Sequence, residues 1–230
     1  MLREYFDREL DQLDEKILRL GNAVEENIVF AVAALQKRDM DASRRLIEFD
    51  EWINEQRIEI MMGCFTLIAT QQPTGPDMRS LAATISIAGE LERIHDYVKG
   101  IGKISLTLGE RSLLDQVVEP LLRMAEVTSG MLGQALAAFA AKDADLARSL
   151  PVQDDEVDAL YTEISHTLAM TVTEENITYE KANLVQWAVH NLERSADRVI
   201  NICEWVVYKA TGKYVELDSE YEAPSALPAG

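Results

Sequence analysis

The segment Leu91-Glu92-Arg93-Ile94-His95-Asp96 returns about 100 residues later as Leu192-Glu193-Arg194-Ser195-Ala196-Asp197. Asp50-Glu51-Trp52-Ile53-Asn54 returns in the same way as Asp154-Asp155-Glu156-Val157-Asp158. Two acidic motifs that recur in the same order at nearly the same offset imply an internal duplication. Each motif lies in a stretch with apolar residues at steps of three and four, so the duplicated unit is helical.

The first of these stretches runs Phe6, Leu10, Leu13, Ile17, Leu20, Val24, Ile28, Ala31 and Leu35, an amphipathic stripe with acids and bases between. Asp39 and Asp41 supply turn chemistry, and a second helix is expected over 42–70, ending at Gln71-Gln72-Pro73-Thr74-Gly75-Pro76. A third runs from Asp77 to Leu108, with Gly109 as its C-terminal cap. The pattern then restarts with Leu113, Val117, Leu121, Met124, Leu132, Leu136 and Phe139, and Lys142-Asp143 repeats the turn at Arg38-Asp39. A fifth helix carries Val157, Leu160, Ile164 and Leu168. After a weaker break over Thr173–Thr178, a sixth runs from Tyr179 to Ala210 and closes at Thr211-Gly212. Helices of this length span about 45 Å, which suits long antiparallel bundles. The expected fold is therefore all-α: two tandem three-helix bundles over 1–109 and 110–212, followed by a C-terminal tail over 213–230 that frays from Pro224.

The chain has 230 residues, is 47% hydrophobic and 27% charged, and carries a formal charge of −18. So acidic a surface repels nucleic-acid backbones and anionic membranes, and it argues against a bare phosphate pocket unless a metal or an arginine cluster reverses the field. Solubility is the plain reading of the charge. Cys64 and Cys203 each fall in an apolar helical pattern, as core thiols of a reducing compartment rather than a disulfide framework. The charged N-terminal segment and the lack of any long apolar run lead to the expectation of a cytoplasmic protein.

The acids interrupt the apolar stripes. Leu81, Ile85 and Ala88 lead to Glu92 with Asp96 one turn on, and Ala182, Gln186 and Val189 lead to Glu193 and Asp197. Asp50 falls between Leu46 and Ile53 with Asn54 a turn later, and Asp154 and Asp158 do the same in the second unit. Carboxylates facing a bundle interior cost several kcal/mol unless paired or coordinated. Oxygen-rich clusters suit hard or borderline cations such as Mg²⁺, Mn²⁺, Fe or Zn²⁺. An ion-pair network with Arg79, Arg93 and Arg194 is the competing reading. Repetition of the acids in a duplicated unit favours metal.

At these residues the chain resembles the PhoU family of phosphate-uptake regulators. Gln71 to Arg79 is similar to the family's QQP-x-x-x-DLR turn, and Leu91 to Tyr97 to its LERIGD motif. Leu192 to Glu204 is similar to the second-repeat form, with Asn201-Ile202-Cys203-Glu204 after the acid. The likeness covers about residues 1–213. It implies a non-enzymatic adaptor between the ATPase subunit of the phosphate ABC transporter and a phosphate-sensing histidine kinase, which acts as a negative regulator of starvation genes. It also implies multinuclear metal clusters, here Glu92 and Asp96 with Asp50 and Asn54, and Glu193 and Asp197 with Asp154 and Asp158. A homo-oligomer, specifically a dimer, is expected, with no nucleic-acid partner and membrane association only through protein partners.

Asn54 stands where the family pattern often has an acid, so the first site is expected to be weaker. His95 and Ser195 replace residues that are usually small, and His95 reads as a satisfied partner at the bundle surface or an added nitrogen ligand. Two other functions stay open. A ferritin-like di-iron protein would use Glu92-x-x-His95 and Glu163-x-x-His166, although these strings are not equivalent in the repeat. A metal-free helical adaptor would use the acids only to dock a basic partner. No nucleophile elbow, phosphate-binding loop or Cys-His pairing supports catalysis.

Overall fold

The computed structural model describes residues 2–174 and 177–217, which form seven helices. They are α1 (Leu2–Lys37), α2 (Met40–Gln71), α3 (Pro76–Leu108), α4 (Asp115–Ala141), α5 (Ala144–Ser149), α6 (Pro151–Thr173) and α7 (Tyr179–Thr211). The first three pack on one another as one antiparallel bundle, and α4, α6 and α7 form the second. The fold is all-α, two three-helix bundles in tandem. Residues 175–176 of the weak break and the fraying segment from Pro224 lie outside the described residues.

The sixth helix of the sequence reading becomes a seventh because Pro151 divides the counterpart of α2. A proline inside a helix removes a backbone donor and clashes with the preceding turn, whereas the first turn tolerates it. The chain therefore closes the six-residue α5 and restarts with Pro151 at the head of α6.

The duplicated turns share one backbone geometry. Arg38 and Lys142 take left-handed backbone at φ 58° and 54°. The next residue then donates its N–H back across the turn, Asp39 to Ala34 and Asp143 to Ala138, each at 2.9 Å. The same aspartates cap the helix that follows: Asp39 accepts from Ala42 N at 2.8 Å, and Asp143 from Asp145 N and Leu146 N at 3.0 Å.

The two bundles share one continuous apolar core, running from Ile17, Leu20 and Ile28 of α1 to Val199, Cys203 and Val206 of α7. Burial pushes the Cys64 and Cys203 thiols up to about 12, which fits inert core residues. The seam is formed by α1 against α4 and α3 against α7. Along α3 and α7 the contacts run antiparallel: Asn201 and Arg198 donate to Glu90 at 3.4 and 3.5 Å, and Arg194 donates to the Tyr97 hydroxyl at 3.0 Å. Gly100 lies under Asn191, where an added Cβ would stand 2.6 Å from the amide nitrogen. Asn191 is the repeat counterpart of Glu90, and Asn201 that of Gly100. The Glu90–Asn201 contact thus has its image in Asn191 over Gly100 with the units exchanged, the mark of a pseudo-two-fold axis across the seam.

A buried ion pair also crosses it. Lys209 of α7 is 6% exposed and donates to both Asp14 oxygens of α1 at 2.8 and 2.7 Å, with its ammonium 3.7 Å from the Phe139 ring centroid. Burial lowers the Lys209 pKa and Asp14 partly restores it.

Two outcomes are expected in urea denaturation. Lys142→Gly relieves the left-handed strain and stabilises by up to about 1 kcal/mol, while Asp143→Ala loses the cap and costs about 1 kcal/mol. Asp14→Ala strands the Lys209 ammonium and costs about 3 kcal/mol or more, most of it regained when Lys209→Met is added.

Candidate metal centre

The repeated acids sit on the flank of each bundle, not on its central stripe. In α3 the fully buried positions include Leu81, Ile87, Ala88, Leu91, Ile94 and Val98. Glu92 is half-buried beside them and Asp96 is exposed. In α7 the buried line is Val189, Leu192, Ala196 and Val199, with Glu193 half-buried and Asp197 exposed. The core line thus passes one position before each glutamate, through Leu91 and Leu192, because the leucine that precedes the acid takes the buried slot. Asp50 and Asp154 are half-buried on the facing helices, where the fully buried Ile53 and Val157 anchor the same turn of α2 and α6.

In the second unit α6 and α7 bring Asp154, Asp158, Glu193 and Asp197 into one electrostatic cluster. Burial, with the charges of Asp158, Asp197 and Glu193, pushes the Asp154 carboxyl up to about 7. Burial also raises Glu193, with Asp197 adding to it, and raises Asp197 against the opposing pull of Arg194. Glu193 Oε2 is buried and accepts no hydrogen bond. His190 Nδ1 stands 3.3 Å away without directing an N–H at it. An orphaned carboxylate oxygen among four oxygen donors fits a hard cation by donor chemistry. Among the described residues, however, no three His, Cys, Asp or Glu side chains converge closely enough to hold one ion.

The first unit is different. Asp50 Oδ2 accepts from Lys99 Nζ at 2.7 Å and from the Asn54 amide at 3.1 Å, while Oδ1 accepts from His95 Nδ1 at 3.1 Å. Lys99 also donates to Asp96 Oδ1. His95 is fully buried, and its Nε2 accepts from the Asn27 amide at 3.2 Å, which assigns the ring proton to Nδ1. It is a satisfied partner, as expected, but inside the bundle and not at its surface. Burial lowers the His95 pKa, so the ring is neutral at pH 7. Burial pushes the Asp50 carboxyl up, but Lys99 and His95 more than reverse this and leave it below its ordinary value. Burial and the nearby Asp96 raise Glu92, with Arg57 opposing.

The arginines of the competing reading direct their contacts elsewhere, Arg93 to Glu90 at 2.9 Å, Arg194 to Tyr97 and Arg79 under Gly212, although the Arg194 charge still acts on Asp197. The cation that enters the first cluster is Lys99, which sequence reasoning passed over. A signal was available in the repeat alignment, where Lys99 matches Ile200, His95 matches Ala196 and Asn54 matches Asp158. In that register Ser195 answers to Ile94, so only His95 stands in the small-residue slot. The di-iron ligand strings do not meet. Glu163 and His166 are exposed on α6, and Glu163 lines a surface groove beside Arg123 of α4.

A groove of about 600 Å³ opens beside the second cluster, walled by Asp154, Asp197, Arg198, Asn201, Glu204 and Tyr214. Glu204 accepts from the Tyr214 hydroxyl at 2.8 Å and from Leu217 N at 2.9 Å. The segment 213–217, assigned to the tail by sequence, is therefore docked on the second bundle, with Leu217 2% exposed.

The raised Asp154 pKa has a defined consequence. An acid that binds its proton more tightly folded than unfolded destabilises the fold as it ionises, so its penalty grows as pH rises from about 4 through about 7. For metal-free protein, Asp154→Asn is expected to melt above the wild type at pH 8, by about 1–2 kcal/mol in stability, with the gap narrowing as pH falls and closing at about pH 4. Paired thermal melts across that range in the presence of chelator check it.

The PhoU domain profile matches residues 17–105 and again 121–206. The "Phosphate-specific transport system accessory protein PhoU homolog" of Streptococcus pneumoniae serotype 4 is 32% identical over 217 residues, 94% of this chain and 100% of the relative. The homologue of Clostridium acetobutylicum is 31% identical over 219 residues, 95% of this chain and 100% of the relative. Crystal structures of the regulatory protein PhoU from Streptococcus pneumoniae and of PhoU from Pseudomonas aeruginosa superpose with TM-scores of 0.85, at 32% and 29% identity. The alignments cover 92% and 90% of this chain and all of each of those chains. With both repeats matched and the whole length of these relatives spanned, the chain belongs to the PhoU family.

Proposed function

We propose that this chain regulates phosphate uptake and phosphate-starvation signalling without catalysing a reaction, and that it joins the ATPase subunit of the phosphate ABC transporter to the phosphate-sensing histidine kinase. The observation that carries this reading is the full-length likeness to accessory and regulatory proteins of phosphate transport, through both repeats. Among the described residues no helix is long and apolar enough to cross a membrane, so contact with a membrane transporter runs through a protein surface. The homodimer belongs to the same reading.

The second cluster would hold the metal through Asp154, Asp158, Glu193 and Asp197. Bound there, a divalent or iron cation supplies positive charge to four carboxylates that otherwise repel. These residues join α6 to α7, and Asp154 and Asp197 also wall the groove closed by Tyr214. Loading the cluster would therefore stiffen the flank on which 213–217 docks, a surface that a partner can read. All four ligands are oxygen donors, which favours Mg²⁺, Mn²⁺ or Fe over Zn²⁺.

The test is a phosphate-starvation reporter, such as alkaline phosphatase, in cells deleted for this gene and grown in high phosphate. The expected result is derepression, restored to repression by the wild-type gene and not by Glu193→Ala with Asp197→Ala. Continued repression in the deletion strain counts against the regulatory role. Metal analysis of protein purified without chelator is expected to find metal in the wild type and none in the double variant. Equal metal in both would remove the second cluster from the reading.

A further inference from the structure

The two clusters differ in one respect that the duplication does not prepare for. In the first unit both oxygens of Asp50 are already engaged, Oδ1 by the His95 ring N–H and Oδ2 by the Lys99 ammonium and the Asn54 amide. Lys99 reaches Asp96 as well, so a single ammonium bridges a carboxylate of α2 and one of α3. This is the bridge that a metal ion would make between the same two helices. In the second unit the three corresponding positions carry Ile200, Ala196 and Asp158, so two donors are absent and the third has become an acid. Glu193 Oε2 is both buried and unbonded there, and no oxygen of a first-unit acid combines the two.

From this we infer that the first unit carries its cation as a side chain: Lys99 Nζ takes the place of the metal between Asp50 and Asp96, so divalent metal is excluded there and confined to the second unit. The Lys99 side chain is 18% exposed and that of Asp50 15%, so solvent screens their pairing only partly. A divalent ion entering would have to expel the ammonium and also break the hydrogen bonds of His95 and Asn54 to Asp50. Asn54 cannot replace the lost charge as Asp158 does. The asymmetry gives the chain one bundle with a built-in cation between Asp50 and Asp96 and one whose charge balance depends on metal supply.

The inference takes from the metal reading only its contrast with the second unit, and it is tested with that unit disarmed. The background is Asp154→Asn, Asp158→Asn, Glu193→Gln and Asp197→Asn in the full chain, stripped with chelator and titrated with Mn²⁺ while the free-ion resonance is followed. No uptake is expected in this background. Adding Lys99→Met is expected to produce Mn²⁺ binding at least about tenfold tighter, because the like charge is gone and the acids remain. Adding Asp50→Asn to that protein should abolish the gain. Lys99→Gln serves as a second variant, and circular dichroism melts confirm that each protein is folded. Mn²⁺ uptake by the background that disappears with Asp50→Asn overturns the inference without any Lys99 variant. Absence of binding in the folded Lys99→Met and Lys99→Gln proteins overturns Lys99 as the occupant. Whether the wild-type second unit binds metal is read separately, from the unmodified chain.

Discussion

The structure depends on the antiparallel packing of α3 against α7 across a pseudo-two-fold axis. A three-helix unit of this size leaves one face of its core open, and each repeat closes that face with the other repeat. The apolar core is therefore continuous across the seam. Polar contacts set the register along it: Glu90 with Arg198 and Asn201, Tyr97 with Arg194, and Asn191 over the bare backbone of Gly100. Lys209 and Asp14 tie the same seam between α7 and α1, where a buried charge without its partner would be far more costly than no charge at all. The repeats resemble separate domains in sequence but form one packed body.

With the seam formed, each unit directs its acids to an outer flank. Duplication places the two clusters at equivalent positions, and divergence has given Asp50 and its counterpart Asp154 opposite electrostatics. One is saturated by an ammonium, an imidazole N–H and an amide. The other cluster gathers four carboxylates, raises the proton affinity of Asp154, Glu193 and Asp197, and leaves a buried Glu193 oxygen unbonded. Under the proposed metal reading, an arrangement that destabilises the protein in isolation would make the flank ligand-dependent, because binding would change its stability as well as its charge. The docked 213–217 segment and its anchor Glu204 lie on that flank and extend the reach of any such change.

The helices and the duplication were legible from period and motif alone. The stripe from Phe6 to Leu35 is the core face of α1, with Leu10 only partly buried at its margin, and Asp39 and Asp143 cap the helices they were expected to start. Pro151 was equally visible in the sequence, and its helix-breaking chemistry accounts for the extra short helix. The acid motifs were found by their repetition, but their depth was misjudged. A step of three or four residues leaves about a third of a helix circumference undecided, so the reading placed Glu92 and Glu193 on the core line when Leu91 and Leu192 hold it.

What the sequence determined by itself is therefore local or periodic: helix positions, the doubled unit, the presence of paired acids and membership of the family. What only the tertiary structure decided is how charges on different helices meet. Whether Lys99 turns to solvent or across to Asp50 depends on the rotation and spacing of α2 and α3, positions 49 residues apart in the chain. The same holds for Lys209 and Asp14, and for the second cluster left without an ammonium. Such pairings depend on side-chain reach through folded space, which no spacing along one helix encodes.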